Sequence, residues 1–525
     1  MSKTLYYGGD IITLETGLYA QAVLEEKGKI VAVGTVDELK DQATKLVDLK
    51  GRTMAPAFID AHSHLTGFAN TMVIAQLGDV VSLDEIKEKL LDFAKSNGLK
   101  KGEWIMGFGY DQNILPDKKH PTKEFLDSVS TDFPILITHA SGHMGVASSL
   151  ALSKLGVDKN TPAIDGGVIG KDEKGELTGY LEEKAFTSLS ATMPRPTLED
   201  ITRNIKKAEH EYFKHGITTV QDGFTTQKEW AILSSMAQDN QLSADVVCYV
   251  DLKDSKSILE NEGYKNKYSN NLKIGGYKIF LDGSPQGRTA WMKEKYEGEG
   301  EYYGYPIYTD QQVNEFVEQA LLENQQLLTH CNGDAAAQQL IDAYILEDGK
   351  LKITNNNRPV MIHSQLVTTA QLAEMAKLGM VASFFVAHTY HWGDIHLKNF
   401  GIRGESISPV NSAIKAGVTA TFHQDCPVLP PDMLFSMWCA CSRKTKSGVQ
   451  LNEKEQITPL EALKAATING AYQYFEEDTK GSIKTGKNAD FVILSDNPLK
   501  CEIEKIRNIK VLETIKRGHS VFKAQ

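Results

Sequence analysis

Six residues in short apolar segments, His62, His64, Lys278, His330, His363 and Asp425, are of the types that hold and use divalent cations. In IDAHSHL the two histidines stand two apart at the end of a predicted strand, where alternation turns both imidazoles to one side. His330 in LLTHCNGD and His363 in VMIHSQ each follow apolar residues near a strand's C-terminal end. Asp425 in TATFHQDCP closes another strand, where a carboxylate can touch a metal and accept a proton from its water, or simply cap the next segment. His423, two residues earlier, faces the same way. Lys278 lies inside the apolar strand GGYKIFLD, where a lone ammonium is costly. Either a carboxylate such as Asp282 compensates it, or the neutral amine takes up carbon dioxide and becomes an anionic carbamate able to bridge two cations.

The elements that must position these residues are eight short apolar strands: MAPAFIDAH (54–62), GITTVQD (216–222), SADVVCYV (243–250), GGYKIFLD (275–282), QLLTHC (326–331), RPVMIHS (358–364), MVASFFV (380–386) and VTATFHQD (418–425). Amphipathic stretches such as LEDITRNIKKAEHEYFKHG, TDQQVNEFVEQALLENQ and TTAQLAEMAKLG alternate with them, the pattern of a parallel sheet. Eight such units predict an α/β fold, a (β/α)₈ TIM barrel over 56–472 whose strand ends carry the site. The interval 66–200 is too long for a βα connection and predicts an α/β insertion after the first strand, over the barrel mouth. Both chain ends, 1–55 and 473–525, alternate apolar and polar residues around glycine turns and predict one β-sandwich domain.

The insertion carries Asp111 in GFGYDQN and His143 in HASGHMG, either lid or substrate contacts, as the family resemblance given below implies, or hydrogen-bonded structural residues. The run FFVAHTYHWGDIH after the seventh strand places His388, His391 and Trp392 at the same mouth, either as a substrate pocket or as an aromatic rim.

A net charge of −11 with no basic stripe argues against nucleic acid as a partner. Hydrophobic content of 41% and charged content of 24% suit a soluble globular chain. No run of about 18 apolar residues and no signal-like N-terminus predict a cytoplasmic protein without membrane contact. Six cysteines in 525 residues form no disulfide framework or paired CxxC module. A small molecule is the expected partner, and self-association into a homo-oligomer is left open.

Taken together, APAFIDAHSH, GFGYDQN, YKIFLDGSPQGRTA, THCNGDAAAQ, MIHSQ, HQDCP and GSIKTGKNADFVIL resemble the amidohydrolase superfamily, in the branch of YtcJ-like, N-substituted formamide deformylase-like and AepA-like proteins. The resemblance implies one or two divalent metal ions, zinc being the expected ion. It implies His62 and His64 as ligands of one, His330 and His363 of a second, Lys278 as a carboxylated bridge, and Asp425 as ligand and general acid/base. Ile362 and Gln424 depart from the branch pattern, in which an acidic residue and a serine are frequent. The activity implied is hydrolysis of a carbon–nitrogen bond in a small amide or N-acyl compound. Deamination or cyclic-amide opening by the same site is the alternative reaction, and a non-catalytic binding or regulatory barrel is the alternative of another class.

Overall fold

The computed structural model describes residues 3–192, 197–351 and 357–525. The chain divides into two compact units, Met1–Gly67 with Lys206–Gln525, and Phe68–Ile205.

The first unit contains eight parallel strands, β1 (Phe58–Ile59), β2 (Ile217–Thr225), β3 (Asp245–Asp251), β4 (Leu272–Phe280), β5 (Gln326–Cys331), β6 (Val360–His363), β7 (Val381–Phe384) and β8 (Thr419–Phe422), bonded in chain order. Past the end of β1, the Ala61 amide donates to the Phe422 carbonyl at 3.3 Å, linking first strand to last. The architecture is TIM-barrel-like. Strands β3, β6 and β7 are buried at every position, which explains why they read as continuous apolar runs rather than alternating ones. Helices follow, started by threonine caps with a reciprocal partner three residues on: Thr226 with Glu229, Thr309 with Gln312, Thr368 with Gln371 and Thr458 with Glu461.

The predicted first strand is in fact two. Thr53–Pro56 belongs to another sheet, and only Phe58–Ile59 joins the barrel. The Ala57 amide still donates to the Asp490 carbonyl, at 3.0 Å, and the Phe58 amide turns to the Gly216 carbonyl, at 2.9 Å, so the chain changes sheets between these two residues. Strands β6, β7 and β8 also stop earlier than predicted, leaving Ser364 and the segment 423–425 in the loops that follow.

The terminal strands form one eight-stranded sheet in which Thr53–Pro56 pairs with Phe491–Leu494. Its hydrogen bonding is continuous where two separately bonded layers are expected. Lys3–Ile12 changes neighbour at a bulge between Tyr7 and Ile11, pairing first with Lys45–Asp48 and then with Thr53–Pro56.

The second unit has its own six-stranded sheet and core, including Ile105–Tyr110, Ile135–His139 and Met144–Ala147. Helix Leu83–Ser96, capped by Ser82, buries Ile86, Leu90 and Ala94 in that core. Among the described residues, no helix is long and apolar enough to cross a membrane.

Candidate metal centre

His62 and His64 lie beyond the end of β1, so strand alternation does not orient them. The backbone around them is pinned on both sides: the Gly223 amide donates to the Ser63 carbonyl and the His64 amide to the Cys426 carbonyl, each at 2.8 Å. This brings the two Nε2 atoms to 3.4 and 3.3 Å from Asp425 Oδ1. His62 is oriented by Gln221, whose Oε1 lies 2.5 Å from Nδ1 and accepts its proton, which leaves the lone pair on Nε2. Gly223 is required here, because a Cβ would lie 2.6 Å from His62 Cε1.

His330 and His363 form a second group. His363 Nε2 lies 3.0 Å from His330 Nδ1, and His363 Nδ1 lies 3.2 Å from His423 Nε2. Ser383 holds His423 at 2.9 Å, and the Asn332 amide and the Gly283 carbonyl flank His330 Nε2 at 3.0 and 3.3 Å. The His62 and His363 ring centroids are 5.7 Å apart, so the two groups share one cluster. Asp425 and His363 both adopt left-handed backbone, at φ of 51° and 75°. Strain of this kind in non-glycine residues is of order 1–3 kcal/mol and collects at functional sites.

Asp282 does not compensate Lys278. Its two oxygens accept from the amides of Asn332, Gly333 and Trp291 at 2.8–3.0 Å. Lys278 is fully buried, with its Nζ 3.3 Å from His62 Nε2 and 5.1 Å from the Phe280 ring centroid.

Burial dominates the electrostatics. It pulls the Lys278 ammonium down to about 7 and His330 to about 4 and His423 to about 3. His62 and His363 are driven well below the ordinary imidazole value by the same cause, so these rings present lone pairs at neutral pH. Burial works to raise Asp425, but the surrounding imidazoles of His64, His363 and His62 outweigh it and hold the carboxyl well below its usual range.

The donor set fits a divalent cation. Among the described residues, His62, His64 and Asp425 are the three whose ligand atoms of the His, Cys, Asp and Glu types all lie within 4.8 Å of one another. Asp425 Oδ1 is buried and, among the described residues, has no hydrogen-bond donor, a costly state for a carboxylate that a cation relieves. His330 and His363 add two more nitrogens beside this triad.

Residues 45–522 match the amidohydrolase family. The chain belongs to that family. It is 26% identical to YtcJ of Bacillus subtilis (strain 168) over 99% of both chains. It is 28% identical to the N-substituted formamide deformylase of Arthrobacter pascens, over 95% of this chain and 94% of that one. The crystal structure of an uncharacterized metal-dependent hydrolase from Pyrococcus horikoshii OT3 superposes with a TM-score of 0.74 at 24% identity, covering 96% of this chain and 99% of that one, which shows a shared fold.

Around this amidohydrolase cluster, the two departures from the branch pattern have local explanations. Ile362 is packed in the barrel core, and Gln424 turns away to donate to the Asp432 carbonyl and Ser436 Oγ at 2.5 and 2.7 Å. The residues after β7 divide. His388 is buried and stacks on His396, with ring centroids 5.4 Å apart and planes at 8°. Trp392 packs on His388, and Phe385 touches His363, His423, His388 and Trp392, an aromatic path outward from the cluster. His391 is exposed and packs edge-on to Tyr390. In the second unit, Asp111 binds the Asn113 amide at 2.8 Å and lies 3.6 Å from His139, while His143 is exposed, 3.4 Å from Glu183. Gln221, Ser383, Asn332 and His396 go unsingled by sequence reasoning. Gln221 and Ser383 carried a signal, as polar side chains inside predicted strands.

Proposed function

We propose that this protein is a divalent-metal-dependent hydrolase of a carbon–nitrogen bond in a small amide or N-acyl compound. The observation that carries the reading is the convergence of His62, His64 and the undonated Oδ1 of Asp425 on one point. A cation bound there supplies Lewis acidity and lowers the pKa of water toward neutrality.

His62 and His64 would hold it, with His330 and His363 completing a second position and Lys278, as its carbamate, joining the two. The carbamate forms when the neutral amine adds to carbon dioxide and releases one proton. A buried amine with no carboxylate in ion-pair reach among the described residues suits that modification. Asp425 takes a proton from the attacking water and returns it to the leaving nitrogen, so the products are an acid and an amine. Gln221, by occupying His62 Nδ1, keeps that ring in the required tautomer.

Elemental analysis of the purified protein, paired with product detection on N-substituted formamides and N-acyl amines, tests the reading. We expect at least one equivalent of a divalent metal and release of acid plus amine. Chelation should abolish turnover and lower stability by about 4 kcal/mol for a metal present at a thousand times its Kd, both reversed by adding metal back. Metal-free protein after growth in metal-replete medium, with no turnover, would favour a binding barrel. Ammonia release or ring opening would transfer the reading to deaminase or cyclic-amide chemistry.

A further inference from the structure

Three histidines at the strand ends are joined nitrogen to nitrogen, and the series begins on a group whose hydrogens are fixed. Asn332 Nδ2 lies 2.8 Å from the Gly283 carbonyl and 3.0 Å from His330 Nε2. A carbonyl only accepts, so the Gly283 contact settles which end of the Asn332 amide is nitrogen and leaves that nitrogen's second hydrogen for His330 Nε2. His330 Nε2 therefore accepts.

Burial holds His330, His363 and His423 below the ordinary imidazole value, so at neutral pH each ring carries a single proton. The His330 proton then sits on Nδ1, 3.0 Å from His363 Nε2, which accepts it. His363 is left with its proton on Nδ1, 3.2 Å from His423 Nε2, and His423 with its proton on Nδ1, 2.9 Å from Ser383 Oγ. Every bond in the series runs the same way. The reverse order would give His330 Nε2 a longer bond to the Gly283 carbonyl, at 3.3 Å, and would set its N–H against an Asn332 N–H at 3.0 Å. His423 and Ser383 are fully buried, where a residue that only filled space would be apolar, since a buried imidazole is costly unless both nitrogens are paired.

We infer that His423 and Ser383 are positioning residues for His363: Ser383 takes the His423 proton on Nδ1, His423 Nε2 takes the His363 proton on Nδ1, and His363 Nε2 is left as a lone pair toward His330. The effect on metal affinity rests on the function proposed above, whereas the proton positions do not. Of the two rings at the second position, only His330 has to shift its proton, to Nε2 beside the Gly283 carbonyl, with the Asn332 amide giving way. His363 already has the tautomer a ligand needs.

Neutron crystallography of the metal-free, full-length protein reads the proton positions directly. Deuterium is expected on Nδ1 of both His363 and His423, and deuterium on Nε2 of either would overturn the inference. Competitive chelation then measures metal held by two variants. His423→Leu removes the acceptor and should weaken binding of one equivalent about 10- to 100-fold, the other keeping its wild-type affinity. His423→Gln can place Oε1 where the ring has Nε2 and should restore most of that loss, which a space-filling role would not allow. Unchanged affinity in His423→Leu, or equal losses in the two variants, would refute the positioning role. Deuterium on both Nδ1 atoms in a wild-type protein that takes up no metal would sink the proposed function and leave the relay standing.

Discussion

The two poles of the barrel bury polar groups in opposite ways. At the strand starts, Asp245 is surrounded by Lys480, Lys516 and Arg517, and Glu476 by Lys273 and Lys480, so each carboxylate has cations within 3 Å. At the strand ends, His62, His330, His363 and His423 crowd around Asp425 with burial holding the rings below the ordinary imidazole value, so ring nitrogens gather on a carboxylate oxygen that has no hydrogen-bond donor among the described residues. The first arrangement is complete in itself. The second is left for a cation to complete under the function proposed above, which would make one pole scaffold and the other a reaction centre.

The largest expected effect falls on the reactive pole. Asp425→Asn should lower kcat/KM on the substrate found by product screening by about 10²–10⁴ while far-UV circular dichroism stays unchanged. Loss of fold instead would make the two poles alike. At the scaffold pole, Lys480→Met leaves Asp245 and Glu476 short of a cation and should cost about 3–5 kcal/mol in urea unfolding, with metal content unaltered. A parallel loss of metal would show that the poles are coupled.

Glu209 is an intermediate case, a buried carboxylate whose Oε1 accepts the Ser243 and Ala244 amides at 2.7 and 2.8 Å. Burial raises its pKa from 4.5 to about 7. Folding therefore takes up a proton between those values, and the contribution of Glu209 to stability is complete below pH 4.5 and is lost as pH rises through 7. Glu209→Gln can keep both bonds through Oε1 without ionising, so it should be neutral at pH 4 and stabilising above pH 7, by at most about 3 kcal/mol. A gain equal at both pH values would exclude ionisation as its source. The smallest effect is expected of Gln221→Ala, which frees His62 Nδ1 and should weaken metal affinity about 10- to 100-fold by competitive chelation. No change would mean that His62 needs no orienting partner.

The barrel strands were legible because burial on both faces leaves apolar runs, and QLLTHC matches β5 at both ends. Strand ends were less so. His62, His64 and Asp425 were found by residue type, although they stand in loops where alternation has no force. What orients them comes from hydrogen bonds between segments distant in sequence, such as Ser63 with Gly223 and His64 with Cys426, and spacing does not encode those. The partner of Lys278 was likewise illegible. Asp282 is near it in sequence, yet three backbone amides claim that carboxylate, and the choice between an ion pair and a backbone clamp depends on the fold of the loop after β5.

The pairing of Thr53–Pro56 with Phe491–Leu494 has a consequence during synthesis. The second segment leaves the ribosome roughly 435 residues after the first, about 20–90 s at ordinary elongation rates. Throughout that interval the growing chain carries an open strand edge, available to neighbouring nascent chains on the same message. Asp425 emerges late as well, so no partial product of translation shorter than 425 residues holds the complete cluster. A chain truncated by only its last 35 residues would keep that cluster and lose the strand that closes the edge, making it prone to aggregation while still chemically equipped.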